Sequence, residues 1–193
     1  MARWEPNARE RLVRAALDLF AEQGYDATTV NEIADRAGLT KTTFFRHFPD
    51  KREVLFAGQG AHSRLLADAI TAAPASATPL EAVGAALDAI TATFTDERRE
   101  FSARLRPVIA GNSELQERAA FKRAGLAGAM TEALRRRGVR EPTASLAAEF
   151  GVRAFYDAFD RWADPANQRT CAELARHALD ELRAAAVALD GQP

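Results

Sequence analysis

A single cysteine, Cys171, stands in 193 residues, so no intrachain disulfide framework exists and a reducing compartment is expected. No run of about 18 or more apolar residues occurs, and the opening MARWEPNARERLVR has no apolar stretch of the signal-peptide kind. The expected location is therefore cytoplasmic, with no membrane partner. β-branched and aromatic residues never alternate for long, which argues against strands. The three histidines, His47, His62 and His177, lack the spacing of a metal site, and no glycine-rich phosphate loop is present. No metal or cofactor is expected. A net charge of −1 excludes a globally basic nucleic-acid binder, although a total can hide a local patch.

What is present points to helices. Hydrophobic residues make up 47% and charged residues 27%, with much Ala, Leu, Arg and Glu and little Gly or Pro. The length suits a small module followed by a larger one. The expected fold is all-α, with about nine helices: an N-terminal three-helix module over residues 1–52 and a C-terminal helical bundle over 53–193. Charge is also distributed locally. Between Lys41 and Arg52 stand four cations, Lys41, Arg46, Lys51 and Arg52, against the one anion Asp50.

Helix signals are dense near the start. Pro6 suits an early helical position, and Leu12, Val13, Ala16, Leu17 and Phe20 form one apolar face that ends before Gly24. Thr29 and Glu32 have capping-box spacing ahead of a short helix, about Val30 to Ala37, that buries Val30, Ile33, Ala34 and Ala37. Gly38 permits a sharp exit, and Thr40 caps a third helix reaching about Phe48. Pro49 and Asp50 separate this from a long helix expected over about Lys51 to Ala73, followed by the connector PASATP at 74–79. Further helices are expected at about Leu80 to Thr93, Asp96 to Ala110 with Pro107 bending or ending it, and Glu114 to Arg137 behind a Ser113–Gln116 capping box. The last two run from about Pro142 to Ala163 and from the Thr170–Glu173 pair to about Leu189.

Two short helices joined by a glycine-containing turn, with small Ala34 at the close approach, read as a helix-turn-helix. On the third helix, at 100° per residue, Phe44 and Phe48 face inward and Thr42 and Arg46 lie opposite. Phe45 and Thr43 occupy the flanks, and Lys41 projects from the N-terminal tip. Lys41 can donate to guanine O6 or N7, and Thr42 and Thr43 to bases or phosphates. Phe45 offers only apolar contact. Lys51 and Arg52, beside free backbone N–H groups, suit a phosphate clamp. His47 fits a structural helix-end histidine and a phosphate ligand about equally. Asn31 and Arg46 are either solvated or in contact with nucleic acid.

The stretch TTVNEIADRAGLTKTTFFRHFPDKREVLF, residues 28–56, resembles the DNA-binding region of the TetR family of bacterial transcriptional regulators. The resemblance covers about residues 9–57 and includes the lead helix, GYDATTV, the Ala-Gly turn and HFPDK. It implies DNA contacts from Thr28, Thr29 and Asn31 at the second helix, from Lys41, Thr42, Thr43, Phe45, Arg46 and His47 on the third, and from Lys51 beyond it. Phe45 stands where the family usually has Tyr, so a phosphate hydrogen bond is missing, and Phe44 replaces the usual Leu. The resemblance further implies a homodimer on a near-palindromic double-stranded DNA operator, with dimerisation and a small-molecule effector site in the C-terminal helices.

The remainder of the chain is less specific. Ala147, Gly151, Ala154 and Ala158 make a small-residue stripe that permits close helix approach, either across a dimer or within one chain. Leu174, Ala175, Ala178, Leu182, Ala185 and Leu189 form an apolar face on the last helix. Phe94, Phe101, Leu105, Phe121, Met130, Phe155, Phe159 and Trp162 are candidates to line an effector pocket, against the plainer alternative of core. Arg98, Arg99, Arg104 and Arg106 are candidates to meet an anionic effector, Arg104 in particular, against the alternative of a solvated face. RLRPVIAGNSELQERAAFKR is faintly similar to regulators of this family that bind acyl-CoA-like ligands, so the effector implied is apolar or acyl-CoA-like. The functional expectation is a ligand-responsive DNA-binding regulator, a repressor released by its effector. The alternatives are an effector-independent regulator or activator and a helical enzyme. The last is disfavoured because Cys171 and His177, six apart, fall on roughly opposite helix faces.

Overall fold

The computed structural model describes residues 8–56, 58–189 and 191, whose regular structure is all helical, with no strand among them. The helices are α1 Ala8–Gln23, α2 Val30–Arg36, α3 Lys41–His47, α4 Gln59–Ala72, α5 Pro79–Thr91, α6 Asp96–Ala110, α7 Ser113–Arg136, α8 Thr143–Trp162 and α9 Cys171–Leu189. Pro6, expected near the start of the first helix, lies outside the described residues.

Local chemistry sets most boundaries. At α2, the Thr29 hydroxyl accepts from the Glu32 N–H at 3.2 Å while the Glu32 carboxylate accepts from the Thr29 N–H at 2.7 Å. Thr40 caps α3 through the Thr43 N–H at 3.1 Å. Gly38, at φ +65°, makes the turn between them, and an added Cβ there would lie 2.7 Å from Arg11 Nη2. The expected Thr170–Glu173 pair caps α9.

Three expectations change. The helix expected to run unbroken from Lys51 is a 3₁₀ turn, Arg52–Val54, and then α4 from Gln59. The Asp50 carboxylate accepts from the Glu53 N–H at 3.0 Å, and Gly58 adopts φ +102°, which an α-helix cannot include. The cap of α7 is Asn112 rather than Ser113, because Asn112 Oδ1 accepts from the Leu115 N–H at 3.1 Å and Gln116 instead reaches the Ala110 carbonyl. The stretch read as a connector ends in a further capping box, Thr78 with Glu81, which starts α5 at Pro79. Pro107 lies inside α6 and does not end it.

The helices form two compact units. The first comprises the described residues up to Gly58 together with Arg104–Ala119, the corner where α6 ends and α7 begins. Its core holds Leu12, Leu17, Phe20, Ile33, Ala34, Phe44, Phe48, Val54 and Leu115, all at most 3% exposed. Polar contacts hold the corner on. Arg104 pairs with Asp18, Arg118 with Glu53, and Arg52 Nε with Glu114 at 3.2 Å, while the Tyr25 hydroxyl donates to Glu114 at 3.3 Å.

The second unit comprises Gln59–Ala103 and the described residues from Ala120 onward. α5 packs against α4, α8 and α9, and α8 packs against α9. Leu66, Ile70, Val83, Leu87, Ile90, Leu126, Met130, Leu134, Val152 and Leu174 fill the interior. The small-residue stripe is spent within the chain. Ala147, Gly151, Ala154 and Ala158 are buried, and a Cβ on Gly151 would lie 2.6 Å from both Met130 Cε and Val83 Cγ1.

Candidate functional site

α3 separates its faces as its angles require. Phe44 and Phe48 are buried, with ring centroids 5.6 Å apart. Lys41, Thr42, Phe45 and Arg46 are exposed, and Phe45 leaves 48% of its surface to solvent while its ring edge meets Phe44 at 5.5 Å. Asn31 on α2 is exposed too. Thr43 is half-buried, its hydroxyl 3.0 Å from that of Thr40. Thr29 is exposed, but its hydroxyl is committed to the α2 cap.

Three candidates are placed otherwise. Thr28 is 2% exposed; its hydroxyl donates to the Gly24 carbonyl at 2.8 Å and accepts from Gln23 Nε2 at 3.3 Å, so it closes the α1–α2 loop. Lys51 Nζ donates to the carbonyls of Tyr25 at 2.7 Å and Thr28 at 2.9 Å, and lies 4.0 Å from the Tyr25 ring centroid. Two of its three donors are therefore spent on carbonyls inside the domain rather than held outward as a phosphate clamp. His47 is half-buried, and its Nε2 is buried without a hydrogen-bond partner among the described residues. That nitrogen is not presented to a ligand. No spacing rule reveals these placements, because the carbonyls that hold Lys51 lie 23 and 26 residues away.

The effector candidates divide between the units. Arg104 and Leu105 fall in the first, where Arg104 pairs with Asp18, and Phe94, Phe101, Phe121, Met130, Phe155 and Phe159 fall in the second. Of these, Phe94, Phe155 and Phe159 meet, with Trp162, as a ring cluster with centroids 5.1–6.2 Å apart. Met130 lies fully buried beneath Gly151, and Phe121 is 66% exposed. A depression of about 370 Å³ lies elsewhere in this unit, lined by Thr78, Pro79, Leu80, Thr143, Leu146, Ala147, Phe150 and Arg183.

Chemistry near Cys171 is muted. Burial pushes its thiol up to about 12, so it stays protonated at neutral pH, and exposed His177 pairs instead with Glu181 at 3.3 Å. Cys171 and His177 are thus not joined as a nucleophile and its base.

Residues 12–57 match the bacterial regulatory proteins of the tetR family. The likeness of this chain to that family lies in this N-terminal segment. Among family relatives, it is 38% identical over 92 residues to the HTH-type transcriptional regulator TcmR of Streptomyces glaucescens, a match covering 48% of this chain and 41% of that one. The chain spans less than half the length of the relatives it first matches in sequence. In structure it resembles the TetR-family repressor FadR of Thermus thermophilus, solved in complex with lauroyl-CoA, with a TM-score of 0.53 and 25% identity over 89% of this chain and 91% of that one. A TetR-family regulator from Syntrophomonas wolfei shares the fold at a TM-score of 0.63 and 17% identity, over 94% of this chain and 95% of that one.

Proposed function

We propose that this chain is a DNA-binding transcriptional regulator that acts as a homodimer on a near-palindromic operator and is a repressor released by a small-molecule effector. The carrying observation is the outward row Lys41, Thr42, Phe45 and Arg46 on α3, backed by buried Phe44 and Phe48. A short helix held rigidly from behind, with one cation at its tip and another on its outer face, is the form of an element that enters a major groove. Asn31 on α2 and Thr43 on the flank of α3 extend that surface, and Arg46 takes a phosphate or base edge. DNA reading is assigned to residues 1–52, and dimerisation with effector binding to 53–193.

For the dimer, the inward orientation of the small-residue stripe supports a contact made instead through the outer faces of α8 and α9. Exposed Leu146, Val187 and Leu189 are the apolar groups there. For the effector, the likeness to a repressor holding lauroyl-CoA supports an apolar or acyl-CoA-like molecule. Such a molecule releases DNA only through unequal affinity for two arrangements of the protein.

Selection of bound fragments from genomic DNA tests the reading. A recurring near-palindrome whose binding weakens steeply with salt is the expected result. Uniform, sequence-independent binding refutes it. Repeating the selection with candidate effectors identifies those that release the site.

A further inference from the structure

Several arginines among the described residues end on a carboxylate or on backbone carbonyls. Arg36 meets Glu22 at 2.8 Å and Arg176 meets Asp88 at 2.8 Å. Arg99 donates to the carbonyls of Asp164 and Asn167, and Arg137 to those of Ala73 and Pro74. Arg98, half-buried in the second unit, does neither. Its Nη2 donates to His62 Nε2 at 2.7 Å, and its guanidinium lies 4.7 Å from the Phe94 ring centroid. No carboxylate among the described residues pairs with it.

Its neighbours are uncharged as well. An imidazole that accepts at Nε2 is neutral, and burial, together with the adjacent guanidinium, holds the His62 pKa down to about 4. Cys171 remains a thiol. The cluster thus carries one positive charge, unbalanced and partly withdrawn from water, a costly arrangement unless an anion completes it. Arg98 retains donors beyond the one given to His62, and a guanidinium edge matches a carboxylate in two parallel hydrogen bonds. Beside it stand the rings of Phe94, Phe159 and Trp162. Arg98, His62, Phe94 and Phe159 each keep part of their surface open, which gives a ligand a way in.

We propose that this cluster binds an organic monocarboxylate, its carboxylate on Arg98 and its apolar body against Phe94 and Phe159. One cation balances one negative charge, so a phosphate dianion or the phosphates of a coenzyme A moiety are poorly matched here. The regulatory meaning of the site rests on the effector-released reading above. Binding itself does not.

The test uses the full chain as a Trp4→Phe variant, so that Trp162 alone reports by fluorescence, with calorimetry beside it. The probes are phenylacetate, benzoate and hexanoate, with phenylacetamide as the uncharged counterpart. At least one acid should bind saturably, with the amide about tenfold or more weaker. Arg98→Met should remove the preference for acid over amide without lowering the melting temperature of the free protein, and Arg98→Lys should retain part of the preference. Equal binding of acid and amide, unchanged acid binding in Arg98→Met, or binding by none of the acids overturns the proposal. Operator release separates the two readings: an acid that binds through Arg98 but leaves DNA bound refutes the regulatory role alone. A neutral ligand that releases DNA while no acid binds refutes the monocarboxylate site alone.

Discussion

Lys51 offers a direct choice between a structural and a DNA-contacting role. Lys51→Met keeps most of the aliphatic stem and removes the charge and all three donors. Two hydrogen bonds from a charged donor contribute roughly 1.5 kcal/mol each at the low end of their range, which suits a half-buried ammonium, and the contact with the Tyr25 ring adds about 0.5 kcal/mol. The expected loss is about 3.5 kcal/mol, and with a urea m-value of about 2 kcal/mol/M the midpoint falls by about 1.8 M. Urea unfolding followed by circular dichroism measures this. Operator binding at several salt concentrations, under conditions where the variant is folded, measures the other role. A lysine on a phosphate contributes about 0.9 to the slope of log affinity against log salt, whereas a lysine spent on internal carbonyls contributes none. Unchanged stability with a slope reduced by about one unit would refute the structural assignment.

Gly151→Ala forces a methyl group to within 2.6 Å of Met130 and Val83, so a loss of about 1–3 kcal/mol in thermal or urea unfolding is expected, and Met130→Ala in the same chain should recover part of it. Phe45→Tyr places a hydroxyl on a ring that is already exposed; operator affinity should rise by about tenfold through one phosphate hydrogen bond, with little change in the selected sequence, as read by gel shift. His62 takes up a proton more readily unfolded, near pH 6.5, than folded, near pH 4, so its contribution to stability is present above pH 6.5 and is lost as pH falls through 4. The difference is at most roughly 3 kcal/mol, and His62→Gln should flatten the profile of unfolding midpoint against pH over that window.

The parts of the fold that were legible in the sequence are those decided within four or five residues. Thr29 with Glu32, Thr40 ahead of α3 and Thr170 with Glu173 all form the caps that their spacing predicts, because both partners in each cap lie on one turn of chain. The same signature at Thr78 and Glu81 lies inside a proline-containing stretch whose composition reads as linker. At α7 two adjacent residues compete for one role, and Asn112 takes it. Apolar spacing alone ran through Gly58, since periodicity reports which side of a helix is buried and not whether the backbone remains helical.

Angular position on a helix likewise settled which rings of α3 are buried, and it did so without knowledge of any partner. It could not settle where a cation ends, because that depends on what the facing element offers. Lys51 finds two carbonyls, Arg104 finds Asp18, and Arg98, only six positions before Arg104 on the same helix, finds an imidazole and a ring face. Their spacing along the chain treats these cations alike, and only the packed structure distinguishes a charge already neutralised from one still unbalanced. A charge of the second kind is informative about function because no carboxylate among the described residues accounts for its burial, and the monocarboxylate proposed above would balance it.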